Sequence, residues 1–420
     1  MALPNVKIIS KESIKPSSPT SNNLRNVKLS LLDQLAPPIF VPLIFFYEQG
    51  QLNISQLLKQ SLSNILTIFY PLGGRLNQEQ SSIDCNDAGA NYIEAQVHAR
   101  LSEITQDPEM EQLKQFLPVQ PLDQFEKSIL SVKVSFFDCG GIAIGVCLSH
   151  KIADGSSVVA FINAWASMCR GEEVVNVIQP SFDFALHYPA RDFSCGSGHV
   201  ISNIGIIREK ITTKRFVFDK EKLDNIKQFA SSEELKSPTR VETVSAFILH
   251  NVMKSKDATI KTVFAAVHAV NLRQRSIPPL SEHAFGNSWS HALALLSEQE
   301  DTSISGCAKK LRAAIRKIDN HLIKQVQNGE YLNRHTKSAD LYSSGKIEFF
   351  NFSSWCRFPV YDVDFGWGKP VWVCPTTLPF KNLVILISTP CGEGIEAWVN
   401  LIEEDMNLFD TIVTTTTTTA

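Results

Sequence analysis

CLSHKIADGSSVVAFINAW, Cys147 to Trp165, sets a histidine four residues ahead of an aspartate and follows the pair with a glycine. The preceding run LSVKVSFFDCGGIAIGV, 130–146, reads as a hairpin that turns at Asp138–Gly141, so His150 falls at the C-terminal end of its second strand. Beyond Gly155 the apolar positions 158, 159, 161, 162, 165 and 166 recur at helical spacing, with Asp154 where an N-cap belongs. On one continuous helix Asp154 would share a face with His150 and orient it, but Gly155 interrupts that geometry. By spacing alone, a catalytic base and a histidine satisfied by backbone at a strand end both stand, and the second is the commoner meaning of so short a pattern.

Outward from this element, the chain mixes strands and helices in no regular alternation. Strands are expected at VKIISKES, FVPLIFFY, SSIDC and YIEAQVHARL, with a helix over NISQLLKQSLSNILTIF behind an Asn53 cap. The order argues against a doubly wound parallel sheet and for a mixed α/β chain with largely antiparallel sheets. The second half resumes with strand KRFVFD, helices over 220–231 and 239–255, strand TVFAAVHAVNLR, one helix near 306–328, and strands near 347–363, 370–375 and 383–388. The closing TIVTTTTTTA is expected to fray.

The 420 residues exceed one ordinary core and suit two domains. Pro, Gly, Ser and charged residues replace periodic structure at 188–213, which we read as the linker between domains 1–187 and 214–420. A net charge of −3 gives no basic excess for nucleic acid or anionic lipid. The most apolar run, APPIFVPLIFFYE, is too short to span a membrane and reads as a buried strand pair. Nine scattered cysteines without a Cys-x-x-Cys pair support neither a metal cluster nor a disulfide framework. The first twenty residues lack the apolar core of a secretory leader, so a cytoplasmic location is expected. Phenylalanine outnumbers tyrosine 25 to 7, and some of these rings should line a pocket.

A second element, YDVDFGWGKPVWV at 361–373, places two glycines around Trp367 after an alternating strand, a tight turn beside an indole. HKIADG and DFGWG occur here in the order and separation found in plant BAHD acyltransferases. LDQ (32–34), FYPLGGR (69–75), DCG (138–140), AVNLR (269–273), FGN (285–287) and SSWCR (353–357) have counterparts there too. The chain therefore resembles that family over nearly its whole length. Within it, SIDCNDAGA, RFVFDKEK, SSWCR and GEGIEAW look most like vinorine synthase-like alkaloid O-acetyltransferases, and acylsugar acyltransferases share several of these stretches.

The resemblance implies a two-domain, chloramphenicol-acetyltransferase-like fold with a channel at the domain interface, the segment 188–213 matching its crossover. It implies an acyl-CoA co-substrate and a small-molecule alcohol acceptor in a monomeric enzyme with no metal. His150 would take the hydroxyl proton while oxygen attacks the thioester, because a neutral alcohol is a poor nucleophile without a base. Asp154 would be structural, paired with Arg273 and followed by Gly155. Asp364 is labelled catalytic in relatives, although its glycine-rich setting suits a loop-fixing task. The Trp367 indole N–H, or backbone N–H groups near Gly366 and Gly368, would face the oxyanion. Arg240 is the candidate for a CoA phosphate.

Cys147 is set aside as a nucleophile, since positions three apart on a strand face opposite ways, and His268 on its apolar strand reads as a core histidine. Where alkaloid acetyltransferases commonly carry Asp-Thr and a basic residue, this chain reads Ser388, Thr389, Pro390, which favours acetyl-CoA over a carboxylated donor. The expected reaction is acetyl transfer to a monoterpene indole-type alkaloid hydroxyl. Acylation of an acylsugar or another alcohol, hydrolysis by the same histidine, and ligand binding without turnover are its rivals.

Overall fold

A computed structural model describes residues 3–50, 53–77, 79, 81–123, 128–191, 206–207, 210–255, 263–297, 301–328, 330 and 347–419, with side chains through 413. The chain divides into two compact units. One takes Met1–Ser202, Ser281–Ser288 and Phe358–Thr376; the other takes Asn203–Leu280, Trp289–Arg357 and Thr377–Ala420.

This division differs from the expected single cut between domains 1–187 and 214–420 in that two short segments from late in the chain, the second bearing DFGWG, belong to the first unit. Most of the expected linker, 192–205 and 208–209, lies outside the described residues.

In chain order the first eight strands are β1 (Asn5–Ile14), β2 (Asn26–Lys28), β3 (Phe40–Tyr47), β4 (Arg75–Leu76), β5 (Ser82–Asp84), β6 (Ala90–His98), β7 (Leu130–Phe137) and β8 (Ile142–Ser149). The remainder are β9 (Ile211–Phe218), β10 (Val263–Asn271), β11 (Trp289–Leu296), β12 (Ile347–Ser354), β13 (Trp372–Cys374), β14 (Leu383–Ser388) and β15 (Ile395–Ile402).

The first unit holds a six-stranded sheet ordered β1-β6-β7-β8-β3-β13, antiparallel except between β6 and β7, and a small β2-β5-β4 sheet. All eight residues of β3 are buried, as its unbroken apolar run requires, but the run makes one strand rather than a pair. Pro42 is tolerated there because β13 covers only Ile44–Phe46, leaving the Pro42 end of that side without a ladder. Filling this edge is what brings the segment around DFGWG to the first unit.

The helix Gly155–Cys169 packs against the helix Ile54–Ile68, and the Trp165 indole N–H donates to Ser61 Oγ at 3.0 Å. Val158, Val159, Phe161, Ile162, Trp165 and Ala166 are all buried, as their spacing predicts. Each such side chain contributes about 1.5–3 kcal/mol when large and fully desolvated. The earlier helix is present, but Asn53 opens it in a left-handed conformation (φ 62°) with no side-chain cap, and Leu57 is exposed rather than on the apolar face.

The second unit also builds a six-stranded mixed sheet, β11-β10-β12-β14-β15-β9, parallel only at β10/β12 and β12/β14. The helix expected near 306–328 is two, Ile304–Arg316 and Asn320–Gln327, because Asp319 caps a fresh start by accepting from the Leu322 N–H at 3.0 Å. The chain's last helix, Glu403–Thr419, runs into the threonine tract instead of fraying before it. Met406, Phe409 and Val413, buried at helical spacing, anchor it.

Candidate active site

His150 follows the last residue of β8. Phe40 pairs with Ser149 at this end of the β3/β8 ladder, and the His150 N–H donates to the Ile39 carbonyl at 2.8 Å. The ring is half-buried. Burial pushes its pKa below the ordinary histidine range, opposed by a hydrogen bond to its own carbonyl, by the Asp154 charge and by Asn287, while Lys151 pushes the same way as burial. The result is an imidazole that is neutral near pH 7 and able to accept a proton.

Asp154 does what its position before a helix predicts. Its Oδ1 accepts from the Ser157 N–H at 2.9 Å, an N-cap, and its Oδ2 accepts from the Ser288 N–H at 3.0 Å. Ser157 Oγ donates to the Gly286 carbonyl at 3.0 Å and accepts from the Gly286 N–H at 3.1 Å. The sequence reading missed a second carboxylate, Asp33. Its Oδ1 accepts from Asn287 N at 2.8 Å and Nδ2 at 2.9 Å, and its Oδ2 accepts from Ser30 N at 3.0 Å and Oγ at 2.7 Å. Two buried carboxylates thus clamp the consecutive N–H groups of Asn287 and Ser288. The Asn287 amide also reaches the His150 carbonyl at 2.7 Å.

Lys151, beside the histidine, turns inward. Its ammonium donates to the carbonyls of Gln34 (2.7 Å) and Ala36 (3.1 Å), closing the C-terminal end of the short helix Leu31–Leu35. Burial brings it down to about 8, against a smaller upward pull from Asp33. Cys147 is buried, its thiol pushed far above the ordinary range, chiefly by desolvation. That is the state of a packing residue, not of a thiolate.

The DFGWG loop belongs elsewhere. Asp364 Oδ1 accepts from the N–H groups of Gly366 (2.7 Å) and Gly368 (3.0 Å), both glycines at positive φ, and its carbonyl accepts from the Arg170 guanidinium. Phe365 stands edge-on to Trp165 and stacks on Trp367, whose indole meets Tyr47, and the Tyr47 hydroxyl donates to the Val363 carbonyl at 2.9 Å.

Arg170 is the C-cap of the helix that Asp154 opens, sixteen residues on and therefore about 24 Å away at 1.5 Å per residue. Tyr47 pairs with Ile142, seven residues along β3 from the Phe40/Ser149 pair, again about 23 Å. Two independent rulers put the loop on the order of 20 Å from the His150 end. Asp364, expected in the chemistry, and Trp367, Gly366 and Gly368, expected to face the oxyanion, therefore sit at the far end of the helix from His150. The two glycine N–H groups are already spent on Asp364.

The remaining expected residues lie in the second unit. Arg273 is buried, its main-chain N–H donating to Asn271 Oδ1 at 3.0 Å. Arg240 opens the helix Arg240–Ser255, is exposed, and donates to the Gly392 carbonyl. His268 is a core residue as expected: it stacks on Phe352 with centroids 4.9 Å apart, and burial takes its pKa to about 4.

The profile of the Transferase family matches residues 4–415. The chain belongs to this family, the BAHD acyltransferases. It is 43% identical to stemmadenine O-acetyltransferase of Catharanthus roseus and 41% to vinorine synthase of Rauvolfia serpentina, with 96% of each chain covered in both cases. Limonoid 1-O-acetyltransferase of Citrus sinensis is 38% identical, with 96% of this chain and 95% of that protein covered. The crystal structure of vinorine synthase superposes with a TM-score of 0.84, 39% identity and 96% of both chains covered. The fold is that of the two-domain BAHD acyltransferases, and the protein is an acyltransferase.

For this BAHD enzyme, Asp33 and Asn287 are the site residues that motif reading passed over, although both sat in stretches, LDQ and FGN, that carried the resemblance. The signal was present as the pairing of two short polar motifs 254 residues apart. Part of the phenylalanine excess is also accounted for: Phe182, Phe184 and Phe285 line a cavity of about 20 Å³ beside Asp33 and Ile152. A larger open groove, about 640 Å³, runs between Ser13–Pro16 and the helix face at Ser55–Ser63 and shares no residue with this site.

Proposed function

We propose that this chain transfers an acetyl group from acetyl-CoA to a hydroxyl of a monoterpene indole-type alkaloid, with His150 as general base. The observation that carries the reading is the place of His150, half-buried at the end of β8 with its main chain held from both sides by Ile39 and Asn287. The Nδ1 of the ring is buried, which leaves Nε2 for the acceptor. Nε2 takes the hydroxyl proton as the oxygen attacks the thioester carbon, the carbon–sulfur bond breaks, and the imidazolium returns the proton to the departing thiolate. Orienting both substrates at one nitrogen removes several kcal/mol from an otherwise bimolecular barrier.

The alkaloid acceptor is supported by the relatives named stemmadenine O-acetyltransferase and vinorine synthase, and the acetyl donor by the two named as O-acetyltransferases of stemmadenine and of a limonoid. The limonoid relative favours a second reading, a triterpenoid alcohol acceptor. Ser388, Thr389 and Pro390 supply no cation for a carboxylated donor. Arg240, exposed at a helix start, is the proposed partner of a CoA phosphate, and its replacement by Ala would raise KM for acetyl-CoA alone.

We take the enzyme to be a cytoplasmic monomer. Among the described residues no helix is long and apolar enough to cross a membrane, and the eight described cysteines are free thiols.

The test is mass-spectrometric detection of ester with acetyl-, malonyl- and longer acyl-CoA against stemmadenine-type alcohols, limonoid alcohols, acylsugars and simple alcohols, with His150→Ala alongside. Acetylated alkaloid, lost in the variant, supports the proposal. Ester only on limonoids or acylsugars would replace the acceptor, and thiol release without any alcohol would replace transfer by hydrolysis.

A further inference from the structure

We infer that Asn287, held by Asp33, is the positioning residue that fixes the His150 main chain and so aims its ring. The inference rests on His150 being the base. A carboxamide nitrogen carries two hydrogens, and both are used: one goes to Asp33 Oδ1 at 2.9 Å, the other to the His150 carbonyl at 2.7 Å. Because both acceptors are oxygens, the amide nitrogen must face them, which fixes the flip of the group.

Asp33 Oδ1 takes the Asn287 main-chain N–H as well, at 2.8 Å, so backbone and side chain of Asn287 are pinched on one oxygen and the rotamer cannot turn. The other carboxylate oxygen is held by Ser30, in a capping box at the start of the helix Leu31–Leu35. All of this is buried: Asn287 is 0% and Asp33 5% exposed.

The His150 carbonyl, which the Asn287 amide holds, and the His150 ring hang from one Cα. Moving that carbonyl moves the ring, and a displacement near 1 Å at a proton-transfer site costs on the order of a hundredfold in rate. No other side chain at position 287 reproduces the arrangement at this reach. Ionised Asp has no donor, Ser has one hydrogen, and Gln is a methylene too long.

The experiment compares wild type, Asn287→Ala, Asp33→Asn, the double variant and His150→Ala. Asn287→Ala leaves the residue-287 N–H to satisfy Asp33, and folding is checked by thermal melting and by CoA binding in calorimetry. Turnover is read with acetyl-CoA and the alkaloid alcohol that the acceptor panel selects. The His150 titration is read by NMR of ¹³Cε1-histidine-labelled protein, assigned by its absence in His150→Ala, and needs no acceptor. The charged neighbours of the ring, Asp154, Lys151 and, through Asn287, Asp33, are unaltered in Asn287→Ala.

The expected result is a loss of about a hundredfold in kcat with KM for acetyl-CoA unchanged, and a His150 midpoint lower than in wild type. The double variant should lose no more than the worse single one, because Asp33 acts through Asn287. If kcat of Asn287→Ala stays within about twofold with the midpoint unmoved, or if the two losses multiply, positioning is overturned. Full activity in His150→Ala would instead remove the base assignment itself.

Discussion

Asp154 and Arg170 cap opposite ends of one helix, and the two sequence motifs divide between them. His150 lies just ahead of the first, and Asp364 gives its carbonyl to the second. The end at Arg170 closes with Gly171 at φ 80°, its N–H donating to Met168 and the Glu172 N–H to Ser167, a helix stop that needs the left-handed residue. The proposed base and the DFGWG loop are therefore separated by the length of a rigid rod.

Replacement of Asp364 by Ala should cost stability and spare the chemical step. It removes the acceptor for two loop N–H groups, so urea denaturation should show a loss of about 1–3 kcal/mol. Turnover per folded molecule should stay within about threefold, since the loop sits on the order of 20 Å from His150. A variant with unchanged unfolding midpoint and turnover reduced by orders of magnitude would return Asp364 to the chemistry.

Asp154 should grade by how many N–H groups its replacement still satisfies. Asn keeps one carbonyl oxygen for Ser157 or Ser288 and turns a donor on the other, whereas Ala loses both. Loss of the cap costs about 0.5–2 kcal/mol and an orphaned buried N–H about 1–3 kcal/mol, so stability should fall from Asp to Asn to Ala. Both variants also remove a negative charge that raises the His150 pKa, so the acid limb of kcat/KM should move to lower pH in each. Equal melting temperatures for Asn and Ala would contradict the double-acceptor role.

In the wild-type enzyme the acid limb should already lie below the ordinary histidine value of about 6.5. Burial disfavours the imidazolium, and protonated His150 cannot act as base, so kcat/KM rises with pH through the folded-state value and levels off above it. A profile still climbing between pH 7 and 8 would mean that some other group limits the reaction.

Much of this was legible in the sequence, for physical reasons. Apolar runs gave β3 and β8, the alternation in LSVKVSFF gave β7, and the Asp-Gly start with helical spacing gave the helix Gly155–Cys169 to within a residue. Strand β11 was not legible, because Leu293 and Leu295 on its outer face are exposed and blur the alternation that marks a half-buried strand. The segment 281–288 and β13 join the first unit through an edge and two carboxylates, and pairing across that many residues leaves no local pattern. For Asp364 the glycine-rich turn suggested a loop-fixing task while the resemblance implied a catalytic one, and a turn of this kind looks alike whether it holds substrate or only itself.

Lys151 provides a test through stability alone. Burial brings its pKa to about 8, while an unfolded lysine titrates near 10.5. Between those values the unfolded chain binds a proton that the folded one has released, so this residue makes wild-type stability rise with pH across the window. Below about 8 both states are protonated and the penalty is constant. Lys151→Met has no such proton, so the stability of wild type relative to the variant should climb by about 3 kcal/mol from pH 8 to 10.5, whatever its sign at neutral pH. Groups common to both proteins cancel in the difference, which makes urea unfolding at four or five pH values sufficient. A flat difference across that range would show that the Lys151 ammonium is not desolvated by its place behind His150.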